Sequence, residues 1–203
     1  MSNAKIRLSQ KEKELVIDAD FILTKNAILE KVKLFLLELQ DKQQSFLHHP
    51  QLFTGDNELI RSPKISKGEN YKGLPYLILD YPRIFKAENI FAIRTMFWWG
   101  RFFSITLHLS GDYKKKSEEK ILASHALLSQ QDFFYCVSDN QWEHDFEPGN
   151  YLPIGAISKA DLEKSIFEKF FIKLAIKIPI NQWDDAPDIL FKYYREIIEM
   201  LVA

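Results

Sequence analysis

The sequence predicts an α+β fold, with an antiparallel sheet in the middle of the chain and helices at both ends. Three observations predict it. Residues 90–110 hold two β-rich runs around Gly100. Residues 26–46 and 186–202 repeat apolar side chains at helical spacing. No Gly/Ser/Pro-rich linker divides the 203 residues, so a single α+β domain is expected over 1–203, with 1–20 as a more loosely packed N-terminal segment.

The elements follow in order. Ser9 and Glu12 have capping-box spacing and start a short helix. Thr24 or Asn26 caps a longer one, 26–46, whose apolar line is Ile28, Leu29, Val32, Phe35, Leu36 and Leu39. His48-His49-Pro50 ends it. Residues 50–73 read as irregular, with Gly55, Pro63, Gly68 and Gly73 among polar residues. The proline-bracketed run 74–81 is a strand.

The hairpin is the most informative segment. Strands 90–98 and 102–110 pair best odd with odd, because Phe91, Ile93, Thr95 and Phe97 then share a face with Phe103, Ile105, Leu107 and Leu109. A one-residue slip mixes polar residues into both faces. The pattern predicts Phe97 beside Phe103, Arg94 beside Thr106, and an odd-length turn over 99–101.

A helix over 115–130, a strand over 132–138 and a short edge strand over 151–157 follow, giving a sheet of four to five strands. Residues 159–177 read as one helix opened by Ser158 and Asp161, although 170–180 also alternates. Pro187 in its first turn and Leu190, Tyr194, Ile197 and Leu201 mark the last helix, 186–202.

Composition narrows function. The chain is 46% hydrophobic and 14% aromatic, with sixteen Phe, which supports a large core. A net charge of −1 gives no general pull towards nucleic acid or anionic membrane. No run of about 20 apolar residues spans a bilayer, and no signal peptide is read in 1–40, so the expected setting is soluble and cytoplasmic. Cys136 is the sole cysteine, so neither a disulfide within the chain nor a cysteine zinc site is expected. No cofactor motif is present: the P-loop, the G-x-G-x-x-G turn, H-E-x-x-H and G-x-S-x-G are all missing.

Three constellations carry the remaining chemistry. The second face of the hairpin collects Arg94, Trp98, Ser104, Thr106 and His108, joined by Tyr76 and Asp80 from the preceding strand. Arg grips carboxylate or phosphate through a planar fork and His titrates near neutrality, so this face suits a small anionic ligand. The bland alternative is a second packed layer with Arg94 paired to an acid. Segment 64–73 offers Lys67 and Lys72 for an anion, against an ordinary solvated loop. Asp139, Glu143, His144, Asp145 and Glu147 have no recognised metal-ligand spacing and read as a solvated acidic loop, so no metal site is expected. The leading expectation is a non-catalytic binding or interaction protein that uses the aromatic hairpin on a protein partner. The alternative is a small-molecule enzyme with Arg94 and His108, the His oriented by Asp80.

Overall fold

Alternation in the hairpin sets the centre of the molecule. The structure, a computed structural model, describes residues 6–48 and 62–202. Strands β3 (Ile90–Trp98) and β4 (Phe102–Ser110) pair antiparallel, with Phe97 opposite Phe103 and Arg94 opposite Thr106. Trp99-Gly100-Arg101 closes the turn, where Gly100 takes φ +67, a value a residue without Cβ adopts freely. The odd-with-odd register is therefore the observed one.

The sheet grows outwards from this hairpin. Among the described residues seven strands run in the order β1-β2-β3-β4-β7-β5-β6, every pair antiparallel. β1 (Lys64–Tyr71) and β2 (Leu74–Phe85) are joined by Lys72-Gly73, both at positive φ, the two-residue hairpin geometry that matches strand twist. The expectation of an irregular 64–73 is corrected here. Polar residues conceal this strand because it is an edge, where lysines such as Lys64 and Lys67 discourage pairing with other chains. Residues 50–61 of the irregular stretch, and His49 before them, lie outside the described residues. β2 also runs past 81: Pro82 does not end it but sits at a register shift between Asp80 and Arg83, where a ladder tolerates a missing N–H.

The largest correction concerns 159–177. Helix α5 (Lys159–Glu168) stops early, and Phe171–Pro179 is strand β7, paired with β4 over nine residues. The helical apolar line and the strand alternation overlapped at 170–174. β3 pairs only one edge of β4, and leaving the buried backbone of its other edge without partners costs more than shortening a helix, so the ladder prevails. The sheet therefore exceeds the four to five strands expected. Helix 115–130 is likewise two helices, α3 (Gly111–Ala123) and α4 (His125–Gln130), broken at Ser124. Strand 132–138 contracts to β5 (Phe134–Cys136). Strand 151–157 contracts to β6 (Tyr151–Pro153), with a 3₁₀ turn after it. The last helix, α6 (Ala186–Val202), lies where the sequence predicts it.

At the other end, the Ser9–Glu12 capping box opens α1 (Gln10–Ile17). The second helix, α2 (Ala19–Leu47), starts earlier than 26 because the Asp18 carboxylate, rather than Thr24 or Asn26, accepts the Phe21 amide at 3.1 Å.

The two sheet faces differ in their cover. Leu79, Ile93, Ile105, Leu107 and Leu174 point towards α2 and α6, where Leu36, Leu39, Leu190 and Ile198 bury against them. Each such side chain contributes roughly 1.5–3 kcal/mol through apolar burial. The opposite face lies beneath residues 137–150. No helix among the described residues is long and apolar enough to cross a membrane.

Candidate functional site

Register places the polar side chains of four strands on one face. Asp80 of β2 is opposite Arg94 of β3, Arg94 is opposite Thr106 of β4, and His108 of β4 is opposite Lys173 of β7. Directly opposed Cβ atoms lie about 4.5–5.5 Å apart, so these groups form one patch. Arg94 donates Nε and Nη2 to the Asp80 carboxylate at 2.7 and 2.9 Å, a bidentate pair. Its remaining nitrogen, Nη1, lies 3.0 Å from His144 Nε2.

Residues 139–150, expected as a solvated acidic loop, form the lid of this patch together with Val137 and Ser138. Gln141 Oε1 lies 3.0 Å from His108 Nε2. Lys173 donates to the carbonyls of Gln141 and Glu143 at 2.9 and 2.5 Å. The Tyr71 hydroxyl accepts the amides of His144 and Asp145 and donates to Glu143. Asp145 is ion-paired with Lys72 and accepts from Asn150. Phe146 stacks on Tyr151 and meets Phe102 and Phe134 edge-on. The loop's carboxylates pair at the rim, Glu143 and Asp145 with Lys72 of the β1–β2 turn and Asp139 with Lys169. Among the described residues no cluster of His, Cys, Asp or Glu is arranged to hold a metal.

Burial governs the titration of this layer. It lowers His108 to about 3, with the Lys173 charge adding to the effect, and it holds His144 well below its ordinary value too. Burial also lowers Lys173 to about 8. For Asp145 burial pushes upwards, but hydrogen bonds from Lys72, Asn150 and Glu147 outweigh it and hold the carboxyl at about 2. Lys173 is 1% exposed, and among the described residues it makes no ion pair with a carboxylate; it is solvated by two carbonyls instead. A fully buried lysine without an ion-pair partner is rare.

The sequence-predicted residues divide into three groups. Arg94, Asp80, Thr106 and His108 do come together, with Ser104 buried farther along β4. His108 meets an amide rather than Asp80, whose two oxygens are taken by Arg94. Trp98 and Tyr76 form a separate aromatic cluster with Tyr71; Trp98 is buried and donates Nε1 to the Tyr71 carbonyl. Lys72 reaches the lid, whereas Lys67 pairs with Glu69 elsewhere. Sequence reasoning missed Lys173, Gln141 and Tyr71. The signal for Lys173 was the alternation Phe171, Lys173, Ala175, Lys177, which the helical reading of that stretch hid.

A second surface lies at the end of the sheet that carries the β3–β4 turn. A groove of about 460 Å³ is lined by Ile28 and Lys31 of α2, Phe97, Trp99, Ile180 and Trp183. Upstream of it, every described residue from 6 to 24 is exposed, including Val16 at 71% and Ile17 at 82%. Leu15 on α1 and Phe21, Ile22 and Leu23 on the start of α2 are exposed ahead of the buried Leu29 and Leu36, with Asp18 breaking the helix between them. Lys25, bridged to Glu69 at 2.8 Å, is the first residue of α2 that the rest of the fold partly covers.

No family model matches the chain, and neither a curated protein nor a solved structure matches it.

Proposed function

We propose that this chain is a non-catalytic docking protein that pairs with a second copy of itself. Its contact surface would be the exposed N-terminal helical arm together with the groove beside Trp99. The observation that carries the reading is the unburied apolar surface of α1 and the start of α2, with Leu15, Val16, Ile17, Phe21, Ile22 and Leu23 all exposed. Apolar side chains on a helix pack best against another helix or a groove. A second copy supplies one, and each copy then offers both an arm and a groove, as a two-fold interface requires.

Charge supports the same occupant. The arm alternates Lys11-Glu12-Lys13-Glu14, which is self-complementary in an antiparallel pair. Lys31 likewise lines the groove, and the exposed Asp184 and Asp185 directly follow its Trp183 in the chain. A formal net charge of −1 leaves little long-range repulsion between copies. Six exposed apolar side chains between Leu15 and Leu23 offer on the order of 400 Å², and the groove adds to it, against roughly 800 Å² per partner in a stable interface. A cytoplasmic setting belongs to this proposal, since one buried cysteine needs no oxidising compartment.

Light scattering coupled to gel filtration tests it. The expected mass is twice 23.9 kDa at micromolar concentration, and Ile22→Glu or Leu15→Glu should return it to 23.9 kDa without loss of helix signal. A single-copy mass at every concentration would overturn the reading.

A further inference from the structure

The lid face has an entrance that docking does not use. A cavity of about 570 Å³ lies between the first turn of α3, the β2–β3 connection and the start of the lid, within the range of small-ligand pockets. Its shape comes from the backbone. Gly111 takes φ +58, and a Cβ there would fall 2.4 Å from the Glu88 carbonyl oxygen, so only glycine lets α3 start this close to the β2–β3 connection. The first free amide of α3, at Asp112, is already taken by the Asn89 side chain at 2.7 Å. Any anion held here must therefore rely on side chains.

Those side chains are cationic in excess. Lys114, Lys115 and Lys169 line the cavity against Glu88 and Asp139. Lys114 is paired with Glu118, and Lys169 is committed to the Val137 and Ser138 carbonyls and to Asp139. Lys115 is exposed and, among the described residues, forms no ion pair. Apolar surface stands beside it: Phe170, 92% exposed, and Phe171 complete the wall. An exposed phenylalanine at a cavity mouth is apolar area that a ligand body would cover.

Gln141 ties this cavity to the buried patch. It lines the cavity, its side chain meets His108, and its carbonyl accepts from Lys173. His108 also packs against Phe171, ring centroids 5.9 Å apart. The wall nearest the cavity floor is thus backed by a buried ammonium with no carboxylate partner among the described residues.

We infer that this cavity binds a small organic anion, a carboxylate or phosphate ester with a flat apolar body. The head group sits between Lys115 and Gln141, and the body lies against Phe170 and Phe171. Lysine suits the head group because its ammonium acts as a point charge that tolerates either anion geometry.

Calorimetric titration of the full chain with phenyl phosphate and with benzoate reads the site. The expected result is saturable binding of at least one of them, weakened tenfold or more by Lys115→Glu and several-fold by Phe170→Ser. Both substitutions are on exposed side chains, and Lys159→Glu, at the exposed start of α5, should leave binding unchanged. Inorganic phosphate and benzyl alcohol should each bind at least tenfold more weakly, because each lacks one half of the ligand. Absence of saturable binding by both probes overturns the inference. So does binding that survives both substitutions, or inorganic phosphate binding as tightly as phenyl phosphate. The oligomeric state is read separately, so neither result bears on the docking proposal.

Discussion

The two faces of the sheet are built from the same strands but held by different forces. The helix-covered face is apolar at nearly every position, from Leu77 through Leu107 to Ile178. Its energy is distributed over many interchangeable contacts. The lid-covered face concentrates Asp80, Arg94, His108 and Lys173 under a loop with no regular structure. Its energy depends on a few directional bonds, and each charge there is tolerated only while its partners stay in place. The comparison teaches where this fold is brittle: a conservative change should be absorbed on the helix side and felt on the lid side.

The strongest way to break the contrast is Arg94→Ala. It strands the buried Asp80 carboxylate, and unfolding by denaturant should register a loss of about 3–5 kcal/mol. Leu107→Ala, on the helix face of the adjacent strand, should cost about 2–5 kcal/mol as a cavity, whereas Leu107→Met should cost less than about 1.5 kcal/mol. No comparable soft replacement exists for Arg94, and a loss below 1 kcal/mol in the alanine variant would place the two faces on equal terms. Tyr71→Phe removes the hydroxyl that collects two lid amides and should cost about 1–3 kcal/mol, with faster hydrogen exchange confined to 138–150.

Acidity should act most strongly on the lid face. His108 and His144 are held below their ordinary 6.5, so the unfolded chain takes up protons that the folded chain refuses. Stability should fall as pH drops from about 6.5 towards 3, by up to roughly 1.4 kcal/mol per unit for His108, with His144 acting in the same direction. Asp145, held at about 2 rather than 3.8, adds to the loss between those two values. Lys173 predicts a slope of the same sign on the alkaline side: its folded value is about 8, so stability should rise as pH climbs from 8 towards 10, where the unfolded chain alone holds the proton. Denaturation curves across pH, repeated with His108→Gln, should show a flatter acid limb in the variant, and a limb left unchanged by the substitution would clear the histidine of responsibility. The smallest effect belongs to Phe167→Ser, on an exposed side chain outside both layers, which should move stability by under about 0.5 kcal/mol.

The hairpin register was legible because burial on both sides leaves one workable pairing. Phe97, Phe103, Arg94 and Thr106 stand where alternation requires them. β1 was not legible, since Lys64 to Tyr71 is an edge whose outward positions need no apolar residue. β7 was obscured because Phe170, Phe171 and Leu174 satisfy a helical period as well as a strand one, and only the vacancy beside β4 decides between them. The site shared that fate. Arg94, Asp80 and His108 could be grouped from register alone, but Lys173 enters only through β7. Gln141 and His144 enter only through the path of an irregular loop, which no periodicity encodes.

The position of β7 has a kinetic consequence. β1 to β4 form a meander in which each strand pairs with its successor, so their contacts close short loops. β7 instead returns to β4 after α3, α4, β5, β6 and α5 have been made, and β5 joins the sheet only through β7. The meander is therefore the natural early unit of folding, and the C-terminal third completes the sheet late, as the high sequence separation of the β4–β7 pairing dictates. Until that strand arrives, β4 presents an open apolar edge, and a chain stalled or cut before residue 171 would carry a ready site for aggregation.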